Sequence, residues 1–389
     1  MAGERWAASG LMWLTGWPDR PPLAGPAGVA DALAAVADDI GRLTDGRVAL
    51  DGPALAAERA AIRGLSRRGR VSPGGACRLV PTADDWVAVN LARVTDLELV
   101  PAWLEIDSVD DWTAVVATRP SAELVERAAL LGLPVVVPGE CQAGVNVRPP
   151  GATYSDGAPR SVEGARVVDL SAMWAGPLCA SMLGMAGADV IKVEDPRRPD
   201  GARSGPTAFF DLLHAGHRSV VLPLDSDELR ALLATADVVI ESSRPRALEQ
   251  LGIDRETTSA VWIAISGHGL DTPHRNRPAF GDDAAVAGGL VAIDPDDGGP
   301  LFCADALADP VTGLMAARAA LEALDAGGPW IVDTSLAGCA SDLRRMCPAE
   351  PGTSAREPDR PRSRAPRGTA PAMGAHTAEV LAEVGGRAA

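Results

Sequence analysis

Residues 167 to 194, VVDLSAMWAGPLCASMLGMAGADVIKVE, leave this chain few options. The runs Val167-Val168-Asp169-Leu170 and Asp189-Val190-Ile191-Lys192-Val193-Glu194 are too short for helices and rich in β-branched residues, so they read as buried strands. The stretch between them reads as a helix. Pro177 suits a first turn, where the missing N–H costs nothing, and Gly187 suits a left-handed C-terminal cap. Ala180, Ser181, Gly184 and Ala188 are small enough to let that helix lie close on a sheet. Its N-terminus then faces the end of the sheet at which α/β proteins meet phosphate or carboxylate. By itself the unit specifies a ligand-binding α/β fold, and any right-handed βαβ crossover reads much the same.

The 389 residues are enough for two or three domains. Against 52 acidic residues stand 36 basic ones, a net charge of −16 that argues against nucleic acid or an anionic membrane as the main partner. A polyanionic ligand would have to meet a local basic patch. Almost every basic residue is arginine; the single lysine, Lys192, reads as a strand-end residue paired with a carboxylate. Cys77, Cys141, Cys179, Cys303, Cys339 and Cys347 form no CxxC pair, so neither a disulfide framework nor a zinc site is expected. His214 and His217 form an HxxH without a third ligand nearby, and no metal is expected there. The N-terminus has no basic stretch leading into an apolar core and no run has the length of a membrane span, which predicts a cytoplasmic protein.

Residues 1–70 are alanine-rich with a helical pattern. Within 71–142, Arg78-Leu79-Val80 and Trp86 to Leu91 read as paired strands, followed by a helix at 121–131 and the strand Val135-Val136-Val137, a small α+β domain. Residues 143–161 read as a Gly/Pro-rich linker, 162–345 as a large α/β domain, 346–371 as a disordered linker and 372–389 as a C-terminal helical segment. The fold class expected is α/β: a Rossmann-like large domain with a parallel sheet plus the smaller α+β domain. A weak internal echo aligns Ala30 to Ala37 with Pro310 to Ala317, and Val48-Ala49-Leu50-Asp51 with Trp330-Ile331-Val332-Asp333. It suggests that 1–70 is a degenerate partial copy of the C-terminal half of the large domain, completing the sheet or mimicking a partner subunit.

Five ordered blocks carry a resemblance: VVDLSAMWAGP with GADVIKVEDP, HAGHRSVVLPL, ADVVIESSRPRALEQLGID, WIAISGHGLDTPHRNRPAF and ADPVTGLMAARAALEAL. Together they resemble the family III CoA-transferases, which include formyl-CoA and carnitine CoA-transferases and, as a side branch, α-methylacyl-CoA racemases. In that family the small domain follows the large one, whereas here it precedes it while a return segment, MGAHTAEVLAEVG, still closes the chain. This suggests a permuted, duplicated or trimmed relative. Phe280-Gly281 stands where the racemases place a proton-transferring His, so racemisation by that route is not expected.

The resemblance implies that Asp309 is the catalytic nucleophile. Asp309 followed by Pro310 also reads as an ordinary helix N-cap, a position that would keep a carboxylate ionised. By the same resemblance Ala175, Gly176, Arg203, His217, Arg218, Ser242, Ser243, Arg244, Ala247 and Gln250 are the positions that would contact CoA. His217 replaces a usual lysine, Ser242-Ser243 an Asn-Phe pair and Gln250 an arginine. Arg203, Arg218 and Arg244 read equally well as solvated surface residues. The implied activity is transfer of CoA from an acyl-CoA to a carboxylic acid, with CoA as substrate and no resident cofactor. The implied partner is a second subunit, in a homodimer or in a heterodimer with a related chain. The alternative is a non-catalytic subunit or scaffold that pairs with an active homologue.

Overall fold

The computed structural model describes residues 2–142, 144–151, 157–347 and 356–387. An N-terminal layer contains α1 (Ala2–Ser9), α2 (Val29–Leu43) and α3 (Glu58–Arg63). A small module follows: β1 (Cys77–Pro81), β2 (Trp86–Asn90), α4 (Val94–Leu104), α5 (Ser121–Leu131) and β3 (Val135–Val136). The large unit holds β4 (Asn146–Arg148), β5 (Arg166–Asp169), α6 (Ala175–Met185), β6 (Asp189–Glu194), β7 (Arg218–Val221), β8 (Val238–Glu241) and β9 (Val261–Ala264). It continues through α7 (Gly281–Ala287), the hairpin β10 (Val291–Ile293) and β11 (Pro300–Phe302), α8 (Ala308–Ala326), β12 (Trp330–Asp333), α9 (Leu336–Arg345) and α10 (Thr377–Arg387).

The apolar runs become strands buried on both faces. Val167, Val190, Val238, Ile240 and Ile263 face one core, while Val168, Ile191, Val239, Trp262 and Ile331 face the other. That is the pattern of a parallel sheet covered by helices on each side. The order is β4-β12-β9-β8-β5-β6-β7, parallel throughout except for β4. Leaving β4 aside, the strands taken in chain order give the doubly wound Rossmann order, with the topological switch between β5 and β8. The fold is α/β with a smaller α+β unit, in which β1, β2 and β3 form an antiparallel sheet over Trp103, Leu104 and Leu124.

Three expectations about organisation are corrected. Residues 143–161 are more than a linker, because β4 adds an antiparallel edge to the large sheet. Residues 1–70 form no separate domain. The face Val29, Leu33, Val36, Ala37 and Ile40 of α2 joins a single core with Leu178 of α6 and Val311 and Leu314 of α8. Val48 to Asp51 form no strand, so this layer adds nothing to the sheet. The described part of 346–371 has neither helix nor strand, yet it is tied down: Asp359 N–H donates to Ala7 O at 2.8 Å, and Arg364 pairs with buried Glu58 at 2.6 Å. Residues 348–355 lie outside the described residues. A segment poor in apolar residues is held here by polar contacts to the N-terminal layer. Beyond it, Val380 and Val384 of α10 pack on the sheet, and His376 Nδ1 and Thr377 Oγ1 accept the N–H groups of Ser219 and Val221. The exposed edge of β7 is thereby covered.

Candidate functional site

The loop from β5 into α6 is the first part of the site. Asp169 Oδ1 accepts Ser171 N–H at 2.9 Å, and Lys192 from the neighbouring strand donates to Ser171 O. Lys192 is fully buried with Asp200 at 3.0 Å and Asp169 at 3.6 Å, so these carboxylates keep it charged despite burial. Asp200 Oδ1 in turn accepts Met173 N–H at 3.0 Å and holds Met173 in left-handed backbone, φ 75°. A β-carbon at Gly176 would overlap Ser171 Oγ. The missing side chain therefore lets the corner fold on itself.

Asp309 lies against this corner. It is the second residue of α8, one turn from Gly313, where a β-carbon would come within 2.8 Å of Ala175 O; the two helices cross at backbone distance. The Ala175 N–H at the start of α6 lies on the side of the Asp309 carboxyl and favours its ionised form. The N-cap reading of Asp309 is not what the structure has: Leu307 precedes the helix, and no side chain caps it. Nor is the carboxyl held in its usual ionised range. Burial pushes it up to about 7, Arg59 pulls it down, and Asp282 and Asp305 add to the rise. Part of the residue remains exposed.

Around Asp309 lies an acidic cluster with one arginine facing it. Asp305 is completely buried and receives a two-pronged pair from Arg59, Nε to Oδ2 at 2.9 Å and Nη2 to Oδ1 at 2.8 Å. Despite burial, Arg59 is held charged by Asp305, Asp282 and Asp309. Its guanidinium carbon stands 5.1 Å from the centre of the Trp174 ring. Asp282 Oδ1 accepts Ala306 N–H at 2.8 Å; burial and Asp305 raise its carboxyl. Asp283 takes Asn90 Nδ2 at 2.6 Å, and burial lifts it to about 7. Ala304 and Ala306 both have positive φ, 60° and 44°, on either side of Asp305. Left-handed backbone at residues bearing a β-carbon stores strain, which marks sites where position matters more than local energy.

The model of CoA-transferase family III matches residues 162–379, more than half of the chain. The chain belongs to that family. Among curated proteins it is 33% identical over 183 residues to the succinyl-CoA–D-citramalate CoA-transferase of Chloroflexus aurantiacus, which covers 43% of this chain and 46% of that protein. It is 32% identical over 186 residues to the succinate–glutarate CoA-transferase of Agrobacterium fabrum, 42% of this chain and 46% of the relative. A solved CAIB/BAIF family protein from Brucella suis aligns with a TM-score of 0.43 and 29% identity, over 47% of this chain and 55% of that one. The chain spans less than half the length of these curated relatives.

In this family III chain the positions singled out for CoA fall into two groups. Ala175, Gly176, Ser242, Ser243, Arg244 and Ala247 lie around the carboxyl ends of β5 and β8, at the switch point. Ser242 Oγ accepts Ala172 N–H at 3.1 Å and bridges the crevice. Arg244 carries a lowered pKa, first from partial burial and then from the like charges of Arg93, Arg198 and Arg246. Gln250 is exposed at the end of the helix that Arg244 precedes.

The side chains of the second group, Arg203, His217 and Arg218, are engaged with other residues of the chain. Arg203 is forked onto Glu194, with Nη2 to Oε2 at 2.6 Å, and stacks on Phe210. His217 is buried behind α6, its ring 5.5 Å from that of His214; burial, then Lys192, lowers it to about 3. Arg218 sits at the amino end of β7, bound to Asp189 and to Glu383 at 2.6 Å, on the far side of the sheet from the switch crevice.

Two concavities, of about 370 and 340 Å³, are lined by residues other than Asp309. The larger is lined by Arg148, Arg255 and Arg275 with their acidic partners, the smaller by Arg47, Arg160 and Asp325. Among the described residues no cluster of His, Cys, Asp or Glu could hold a metal ion, and no helix is long and apolar enough to cross a membrane. Sequence reasoning gave no role to Arg59, Trp174, Asp282, Asp283 or Asp305. A pair of acidic residues in the first turn of a short helix was a usable signal; Arg59, in an alanine-rich stretch outside the family blocks, offered none.

Proposed function

We propose that this chain moves CoA from an acyl-CoA donor to a carboxylic acid acceptor, with Asp309 as covalent nucleophile. The observation that carries the reading is the placement of the Asp309 carboxyl against the α6 N-terminus and the Arg59 charge, in a chain of CoA-transferase family III. An Asp309 oxygen attacks the thioester carbonyl, the C–S bond breaks, and CoA thiolate leaves behind a mixed anhydride. The thiolate attacks the aspartyl carbonyl and releases the donor carboxylate. The acceptor carboxylate then attacks the aspartyl-CoA thioester, and the thiolate finally takes the acceptor's acyl group, freeing the Asp309 carboxylate. Each step exchanges acyl groups of similar energy and no proton is consumed, so the site has to exclude water and hold Asp309 ionised. A carboxyl near 7 supplies a large ionised fraction at neutral pH and is more basic than an ordinary aspartate.

For the ligand, the arginines gathered around Arg244 suit the phosphates of CoA in an otherwise acidic protein. The relatives named for succinyl and glutarate transfer point to small dicarboxylic acids as donors and acceptors. Incubation with succinyl-CoA or a panel of acyl-CoAs, then hydroxylamine, should yield a hydroxamate at Asp309, located by peptide mass spectrometry. Asp309→Asn should yield none. Trapping at another residue, or turnover that survives in Asp309→Asn, would reject the mechanism.

A second reading, a non-catalytic subunit paired with an active homologue, is favoured by the engagement of Arg203 with Glu194 and the burial of His217. Millimolar CoA should raise the melting temperature if the first reading holds. No shift, together with co-purification of a homologous chain, would support the second.

A further inference from the structure

Arg59 stands outside the region matched to the family, on the short helix α3 of the N-terminal layer, yet it reaches the centre of the acidic cluster. Its fork holds both oxygens of Asp305. Asp305 sits between the two left-handed alanines, and Asp309 N–H donates to Ala306 O at 3.0 Å, so the turn that launches Asp309 is the one the fork grips. Gly281 leaves this space open: a β-carbon there would come 2.6 Å from Ala306 O and overlap Asp309 Oδ2. Next to Arg59, buried Glu58 is gripped by Arg364 from the closing segment, which fixes α3 from outside.

Four groups face the Asp309 carboxyl. They are Arg59 from α3, Asp282 from α7, Asp305 from the turn before α8, and the Ala175 N–H at the start of α6; Asp283 lies beside Asp282. Two of the charged neighbours are acidic, and a carboxylate among acids keeps its proton unless a positive charge is set against them.

We propose that Arg59 is a positioning residue supplied to the Asp309 site in cis by the N-terminal segment: its fork pins the strained turn from which Asp309 projects, and its charge favours the ionised carboxylate. This rests on Asp309 being the nucleophile, and the tests separate the two ideas. In the full-length protein labelled with 13Cγ-aspartate, the Asp309 resonance is assigned by its loss in Asp309→Asn and titrated. Arg59→Gln, which keeps a hydrogen-bonding side chain without charge, should raise the midpoint by about one pH unit or more, while Arg59→Lys stays within about half a unit of wild type. Equal midpoints in wild type and Arg59→Gln would overturn the charge role. Arg59→Lys, which lacks the fork, should lower hydroxamate formation about tenfold on the high-pH plateau, as for a nucleophile displaced by a fraction of an ångström. An unchanged plateau would overturn the positioning role, and this arm stands if Arg59→Gln does not fold. If wild type forms no hydroxamate, the nucleophile reading falls, while the titration still decides whether Arg59 acts on Asp309.

Discussion

Replacing Asp309 by Asn should change the pH dependence of stability in a direction that depends on how the carboxyl is held. In the fold burial lifts Asp309 to about 7, from an ordinary 3.8. Between those values the folded chain binds more protons than the unfolded one, so the carboxyl contributes a stability that is lost as pH rises through about 7. A carboxyl moving between these limits alters stability by about 2.6 kcal/mol from about pH 5 to about pH 8; partial exposure of the residue reduces the expectation to about 2 kcal/mol. Asn does not titrate. Asp309→Asn should therefore gain about 2 kcal/mol relative to wild type over that range, because groups remote from the site contribute equally to both proteins. Urea unfolding of the pair at about pH 5, 6, 7 and 8 measures it. A difference that stays flat would mean that Asp309 titrates as it does in the unfolded chain, and a difference of opposite sign that it is held as a carboxylate by its partners. Either result would refute the electrostatic picture of the site.

Three further outcomes are expected. Gly281→Ala forces a methyl group into the space of Ala306 O and Asp309; it should cost about 1–3 kcal/mol and abolish hydroxamate trapping, and wild-type melting with intact trapping would count against the packing described. Arg364→Met strands the buried Glu58 carboxylate; a loss of about 2 kcal/mol in urea unfolding and faster proteolysis within 356–376 should follow, whereas unchanged cleavage would show that other contacts hold the segment. His217→Lys restores the residue type usual in the family, but places it in a buried site beside Lys192; a melting temperature lowered by a cost on the order of 3 kcal/mol is expected, and tighter CoA binding without that loss would show that this position faces the ligand.

Much of the large unit was legible because its signals are local. The apolar runs read at 167–170 and 189–194 give strands at 166–169 and 189–194 whichever face they turn, and Gly187, with φ 106°, ends the helix between them where its sequence position indicates. The pattern in 121–131 gave a helix with matching bounds. What was not legible has a different cause. Arg203, His217 and Arg218 were placed by their position along a motif, and motif position does not say which way a side chain turns or whether a carboxylate already occupies it. Glu194 claims Arg203, Asp189 claims Arg218, and the back of α6 covers His217. Residues 356–371 were read as disordered because they have little to bury, but polar contacts to Glu58 and Ala7 hold them, and no composition measure registers such pairs.

Periodicity, β-branched runs and the placement of glycine and proline act through neighbours a few residues apart, so the sequence by itself determined the βαβ unit at 166–194, the helix at 121–131 and the α/β class. The Asp309 site depends on Arg59, Asp282, Asp305 and Ala175 meeting from four separate stretches of chain, and on how far burial raises a carboxyl there. Those are through-space quantities set by distance and by the exclusion of water, and the tertiary structure alone decided them.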